Sequence, residues 1–96
     1  MKKSFNEIIN QNVPVLVDFY ADWCGPCKNM APVLKQLKTE LKDSISIIKI
    51  NVDTNQTLAA KYQVQGVPTF IIFKNGQQTW RQSGMQTVNQ LKQAIL

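Results

Sequence analysis

Val13-Pro14-Val15-Leu16-Val17-Asp18-Phe19-Tyr20 is nearly continuously apolar and rich in β-branched and aromatic side chains. A run of that kind suits a strand covered on both faces, which usually means parallel neighbours. Just beyond it stands Trp23-Cys24-Gly25-Pro26-Cys27, which holds the only two cysteines of the 96-residue chain. Strand and motif together place Cys24 where a buried strand runs into a helix. The positive end of a helix dipole there favours thiolate. Two thiols at this spacing can close a small disulfide ring and reopen it, so the pattern reads as dithiol–disulfide exchange. A bare C-x-x-C is a weak signal. The full five-residue motif after an apolar strand, with no other metal ligands beside it, is a strong one.

The rest of the chain supplies partners for that strand. Ser4-Phe5-Asn6-Glu7 has capping-box form, and Phe5, Ile8 and Ile9 keep helical spacing, predicting a short helix from Phe5 to Gln11. The cysteine motif opens a long helix to Leu41, with Met30, Leu34, Leu37 and Leu41 as its inner stripe. Ser44 to Val52 reads as a second apolar strand, giving a βαβ unit with the expected right-handed crossover. Asp53 to Tyr62 reads as a helix with Leu58, Ala59 and Tyr62 inward, and Thr69 to Phe73 as a third strand. Asn75-Gly76 is a hairpin turn signal, so Gln78 to Ser83 returns antiparallel until Gly84 ends it. Thr87 and Gln90 form a capping box for a last helix with Val88, Leu91 and Ile95 inward. The order α-β-α-β-α-β-β-α implies one α/β domain over residues 1–96, a central mixed sheet with helices on both faces.

Several functional classes are excluded or weakened. Two cysteines do not make a disulfide scaffold. Structural zinc wants four ligands, and the chain has no histidine and no third cysteine. No apolar stretch is long enough to cross a bilayer. The opening Met1-Lys2-Lys3-Ser4 is basic but lacks a signal peptide's apolar core, so a chain without a removed leader is expected in the cytoplasm. The formal charge is +5, but the lysines are dispersed. Lys28, Lys35, Lys38 and Lys42 fall opposite the apolar stripe of the long helix. They read first as a solvated face and second as a docking surface for acidic proteins. There is no Gly-rich dinucleotide fingerprint, so no nicotinamide or flavin is expected to bind.

The residue types fit the chemistry. Cys24, at the helix start, is expected to be the more exposed and more acidic thiol and to attack a substrate disulfide. Cys27, almost a turn further in and better shielded, is placed to resolve the mixed disulfide. Pro26 presets a helical φ and has no N–H to lose in the first turn. Gly25 leaves room for a partner backbone. Asp18 is a carboxyl inside an apolar strand. Burial would raise its pKa towards neutrality, where it could exchange a proton with Cys27. A strand-end aspartate, solvated or paired with Lys49, is the competing reading and stays open. Lys49 itself reads as a snorkelling side chain on a half-buried strand. Pro68 suits the first residue of a strand.

Val17-Asp18-Phe19-Tyr20-Ala21-Asp22-Trp23-Cys24-Gly25-Pro26-Cys27-Lys28, with Ala31-Pro32, Lys49, Gly66-Val67-Pro68-Thr69, Lys74-Asn75-Gly76 and Ser83-Gly84, closely resembles the thioredoxin family from Phe5 onward. The resemblance implies a three-layer α/β/α sandwich with a central mixed four-stranded sheet, the family's N-terminal strand being absent. It implies Cys24 as nucleophile, Cys27 as resolving thiol, Asp18 as proton-transfer group and Lys49 as its modulator. A redox disulfide Cys24–Cys27, a kink at Pro32 and a cis Pro68 follow in the same way. Trp23, Gly66, Pro68, Gly84 and Met85 would form a docking rim, and Val67 would pair with a substrate segment. Gly25 and Pro26 complete the substrate-binding set. Tyr20, Ser83 and Met85 depart from the usual pattern, as does the basic charge.

The activity this implies is protein-disulfide reduction, with no bound cofactor and with electrons passing from NADPH through a thioredoxin reductase. The expected partners are that reductase and disulfide-containing target proteins, with neither nucleic acid nor membrane, and the chain acting as a monomer. The Gly-Pro dipeptide offers no polar group to stabilise a leaving thiolate, which favours a reductant. Two alternatives compete. One is a dedicated thiol–disulfide oxidoreductase for a single partner. The other is a non-catalytic binding module that keeps the fold.

Overall fold

The computed structural model describes residues 3–96. Met1 and Lys2 of the basic opening lie outside the described residues. The elements are α1 (Phe5–Ile9), β1 (Val15–Tyr20), α2 (Gly25–Asn29), α3 (Ala31–Leu41), β2 (Ser46–Asn51), α4 (Gln56–Lys61), β3 (Thr69–Lys74), β4 (Gln77–Ser83) and α5 (Val88–Ile95). Among the described residues one four-stranded mixed sheet runs in the order β2-β1-β3-β4. β1 pairs parallel with β2 and antiparallel with β3, and β3 pairs antiparallel with β4. The expected mixed sheet is therefore present, with β1 central. Only one of its two neighbours is parallel.

Strand alternation divides the core into two layers. Leu16, Phe70 and Ile72 face α3 and α5, against Met30, Leu34, Leu37 and Leu91. Val15, Val17, Phe19, Ile71 and Phe73 face the other side, against Ile9, Phe5, Leu58 and Tyr62. Val15 to Phe19 are all buried, as a strand covered on both faces should be. Asp18 shares the face of Leu16 by alternation, which turns it towards the cysteine-bearing helices.

Several boundaries differ from the sequence reading, each for a local reason. α1 ends at Ile9 rather than Gln11, with Asn10 as its C-cap. β1 starts at Val15 rather than Val13, because Pro14 has no N–H for a ladder; its carbonyl accepts from Ser46 instead. The single long helix is two helices, α2 and α3, meeting at Met30. Pro32 supplies no N–H at that junction. Met30 keeps αR geometry (φ −79°, ψ −17°), and the Leu34 N–H reaches the Met30 carbonyl at 2.9 Å. The stripe through Leu34 and Leu37 therefore stays in phase across the interruption. β2 starts at Ser46 because Lys42–Ser44 form a 3₁₀ turn. α4 starts at Gln56 because Asn51 Oδ1 accepts the Asp53 N–H at 2.8 Å and holds the preceding segment in a turn.

The two strong turn signals behave as local rules require. Asn75 (φ 52°) and Gly76 (φ 80°) are both left-handed, the geometry of a tight hairpin. Thr87 and Gln90 form the expected reciprocal cap on α5. On α3 the lysines are exposed, but Lys38 is not free: its Nζ donates to the carbonyls of Lys42 and Ile45, each at 2.8 Å. That closes the C-terminal end of the helix, so one of the four lysines read as a solvated face has a capping role.

Arg81 does the same for α4. Its guanidinium donates to the Tyr62 carbonyl and, at 2.9 Å, to that of Gln63, which has a left-handed φ of 54°. These are orphan carbonyls at a helix end. Arg81→Met keeps much of the apolar stem and removes both donors. It is expected to lower stability by about 1–3 kcal/mol, the worth of charged hydrogen bonds. Urea unfolding should show a lower midpoint at an unchanged slope. An unmoved midpoint would show that water satisfies these carbonyls equally well.

Candidate active site

The chain reverses out of β1 through Ala21 and Asp22, and the Cys24 N–H returns to the Ala21 carbonyl at 3.2 Å. Cys24 is extended (φ −88°, ψ 108°) and is the N-cap of α2. Its Sγ accepts the Cys27 N–H at 3.1 Å. Gly25 and Pro26 fill the first two helical positions, where no intrahelical N–H bond is lost to proline. Cys24 and Cys27 are 5.3 Å apart between Cα atoms and joined as a disulfide. They form a small cluster with Ala21, against which Tyr20, Val52 and Val67 pack.

The expected order of exposure is not seen. Cys24 is 3% exposed and Cys27 8%. Each sulfur covers the other in the disulfide, and the surrounding apolar cluster encloses both. What separates the two is position relative to the helix. Cys24 receives a helix N–H; Cys27 donates one from its own backbone.

Asp18 is 2% exposed, and its Oδ1 has no hydrogen-bond partner. The reading of a solvated strand-end aspartate is thereby set aside. Lys49 stands opposite it in the β1–β2 register. The two do not form an ion pair; among the described residues that contact is Lys92–Glu40, at 2.8 Å. Burial pushes the Asp18 carboxyl up to about 6, and the positive charge of Lys49 holds it back from rising further. Asp18, Tyr20, Ala21, Asp22, Cys27, Lys28, Ala31 and Lys49 line one open cleft of about 490 Å³. Asp18 and the second cysteine thus line the same cleft, with Lys49 exposed at its margin.

Several of the rim residues are also brought together. Trp23 is 71% exposed and Met85 51%, both unusually open for large apolar side chains. Trp23 borders a small hollow with Val52, Val64, Gln65, Gly66 and Val67. The Val67–Pro68 bond is cis, and Pro68 is buried. The Gly84 N–H reaches the Pro68 carbonyl at 2.8 Å, with Gly84 at a left-handed φ of 87°. Gly25 and Pro26 are exposed beside the cysteines. One contact was not foreseen: Trp23 Nε1 donates to Asp53 Oδ2 at 2.9 Å. The two residues lie 30 positions apart, and no local pattern links them. Among the described residues no group of three or more His, Cys, Asp or Glu side chains could hold a metal ion. No helix among them is long and apolar enough to cross a membrane.

The thioredoxin family model matches residues 1–96. Thioredoxin 1 of Chlorobaculum tepidum is 42% identical over 97 residues, covering 100% of this chain and 96% of that protein. The thioredoxin of Rickettsia prowazekii is 40% identical over 86 residues, covering 90% and 82%. Among solved structures, a mutant thioredoxin from Halobacterium salinarum superposes with a TM-score of 0.87 at 40% identity, covering 99% of this chain and 82% of that one. Oxidized mitochondrial thioredoxin 3 of Saccharomyces cerevisiae gives 0.85 at 36% identity, covering 95% and 84%.

Proposed function

The chain belongs to the thioredoxin family and is a thiol–disulfide oxidoreductase with protein-disulfide reductase chemistry, and we propose that Cys24 is its attacking thiol and Cys27 its resolving thiol. The observation that carries the assignment is the N-cap geometry, with Cys24 Sγ accepting the Cys27 N–H at 3.1 Å. A sulfur that accepts a helix N–H is better stabilised as thiolate than as thiol. In the reductive direction the Cys24 thiolate attacks one sulfur of a substrate disulfide. A mixed disulfide forms, and the substrate's first thiolate leaves and takes up a proton. Cys27 then gives up its proton and attacks Cys24 Sγ. The second substrate thiol departs, the Cys24–Cys27 disulfide closes, and two electrons have passed to the substrate.

Asp18 serves as acceptor of the Cys27 proton and returns it on reduction. The shared cleft and a carboxyl poised near 6 support this role. Lys49 modulates Asp18 by charge. Trp23, Gly25, Pro26, Gly66, Val67, Pro68, Gly84 and Met85 form the substrate-binding surface, and the Val67 backbone pairs with an extended target segment.

The 96 residues act as one thioredoxin domain and as a monomer, without nucleic acid or membrane. Electrons come from NADPH through a thioredoxin reductase, which makes the protein an electron carrier in the cytoplasm, a reducing compartment. Its partners are that reductase and disulfide-containing proteins. Family membership and a cysteine pair at disulfide distance favour neither the single-partner enzyme nor the non-catalytic module. Insulin-disulfide reduction tests the reading, with dithiothreitol or with a thioredoxin reductase and NADPH as electron source. Rapid turnover with both sources is expected. Turnover with dithiothreitol alone would detach the protein from such a reductase, and none with either would remove the general-reductant reading.

A further inference from the structure

Thr69 is fully buried, and its hydroxyl lies between two partners. It donates to the Gly66 carbonyl at 2.6 Å and meets Ser83 Oγ at 3.0 Å. The direction of the second bond follows from the first. A hydroxyl has one proton, and a carbonyl can only accept. The Thr69 proton is committed to Gly66, so Ser83 is the donor to Thr69. The result is a directed relay from Ser83 through Thr69 to Gly66. It runs beside a backbone link, Gly84 N–H to Pro68 carbonyl, that ties the same strand end to the same loop.

We propose that Ser83 is a positioning residue for substrate docking, holding the Gly66–Pro68 segment against β4 so that its backbone is presented to an extended, disulfide-bearing protein segment. An apolar side chain at this position removes the donor to Thr69 Oγ1, so the buried residue whose hydroxyl grips the Gly66 carbonyl loses one of that hydroxyl's two partners. The relay ends one residue before Val67, and Val67 packs on the cysteine cluster. Loss of the relay is therefore felt where the substrate backbone pairs, while the two sulfurs and the start of α2 are untouched. This inference rests on the reading of Val67 as a docking element.

The test compares Ser83→Val with Ser83→Thr. Both are β-branched and suit a strand, and they differ from each other essentially by the hydroxyl. With insulin as substrate, Ser83→Val is expected to raise KM by about three- to tenfold, the worth of one hydrogen bond, with kcat little changed. Ser83→Thr should restore the parent KM. Hydroxyethyl disulfide, too small to span the loop, reports the thiol pair alone and should show the parent rate in both variants. An unchanged or lower KM in Ser83→Val overturns the proposal, as does failure of Ser83→Thr to restore it. A parallel loss with the small disulfide also overturns it, since the effect would then lie at the cysteines. If the parent protein reduces hydroxyethyl disulfide but not insulin, the docking reading itself fails, an outcome distinct from any difference between the variants.

Discussion

Cys24→Ser is expected to reduce insulin-disulfide turnover to the rate of the electron source alone. The nucleophile in thiol–disulfide exchange is thiolate, and a serine hydroxyl neither ionises near neutrality nor forms a sulfur–sulfur bond. The one thiol left, Cys27, has no second cysteine to resolve a mixed disulfide, because the chain has only two cysteines. The substitution should not disturb the fold. Serine is among the preferred N-cap residues, and its Oγ can accept the Cys27 N–H that Cys24 Sγ now accepts. A native far-UV circular dichroism spectrum with no turnover is therefore the predicted result. Cys27→Ser separates the two cysteines. It leaves an attacking thiol with nothing to release it, so mixed disulfides with target proteins should accumulate, visible by mass spectrometry without reductant. Exposure does not decide between the thiols, at 3% and 8%; this pair of variants does. Covalent adducts on Cys24→Ser rather than on Cys27→Ser would reverse the assigned roles.

Features governed by neighbours in sequence were legible before the fold was known. The burial of Val15 to Phe19, the left-handed Asn75-Gly76 turn and the Thr87–Gln90 cap each follow from a rule spanning a few residues. The cysteine motif belongs with them, since a strand end, a helix start and two thiols are all local. What was missed depends on distant pairing. Arg81 capping the carbonyls at Tyr62 and Gln63, Trp23 bonded to Asp53, and Ser83 bonded to Thr69 join segments that only the sheet brings together. The break at Met30 was obscured by an apolar stripe that stays in phase across it. The exposure of Cys24 was misjudged because helix position sets electrostatics, whereas packing by Tyr20, Val52 and Val67 sets burial. The sequence placed Asp18 on a buried strand but left its pairing with Lys49 open. That depended on whether the lysine could reach it, which is a matter of tertiary geometry.

Asp18→Asn is expected to make the protein more stable and less active above pH 6, two changes in opposite directions from one substitution. The folded carboxyl titrates at about 6, against an aspartate's usual 3.8. Below both values the group is protonated in the folded and unfolded states alike, and burial of its charge costs nothing. Between them the unfolded chain has released its proton while the folded protein retains it, so stability falls as pH rises. Above 6 the loss is complete and constant. A shift of about two units corresponds to about 3 kcal/mol, an upper bound on what removing the charge can restore. The gain should fall short of that bound, because the asparagine amide is itself buried where Asp18 Oδ1 finds no partner. Urea unfolding of the oxidised forms from pH 4 to 8 checks this: the difference between variant and parent should grow through the window and then level off. A difference independent of pH would mean that the carboxyl is not the group being titrated. Activity discriminates further. An aspartate that only burdens the fold would leave turnover unchanged once its charge is gone. If Asp18 accepts the Cys27 proton, the stabilised variant should release mixed disulfides more slowly near neutrality and recover as rising pH ionises Cys27 unaided.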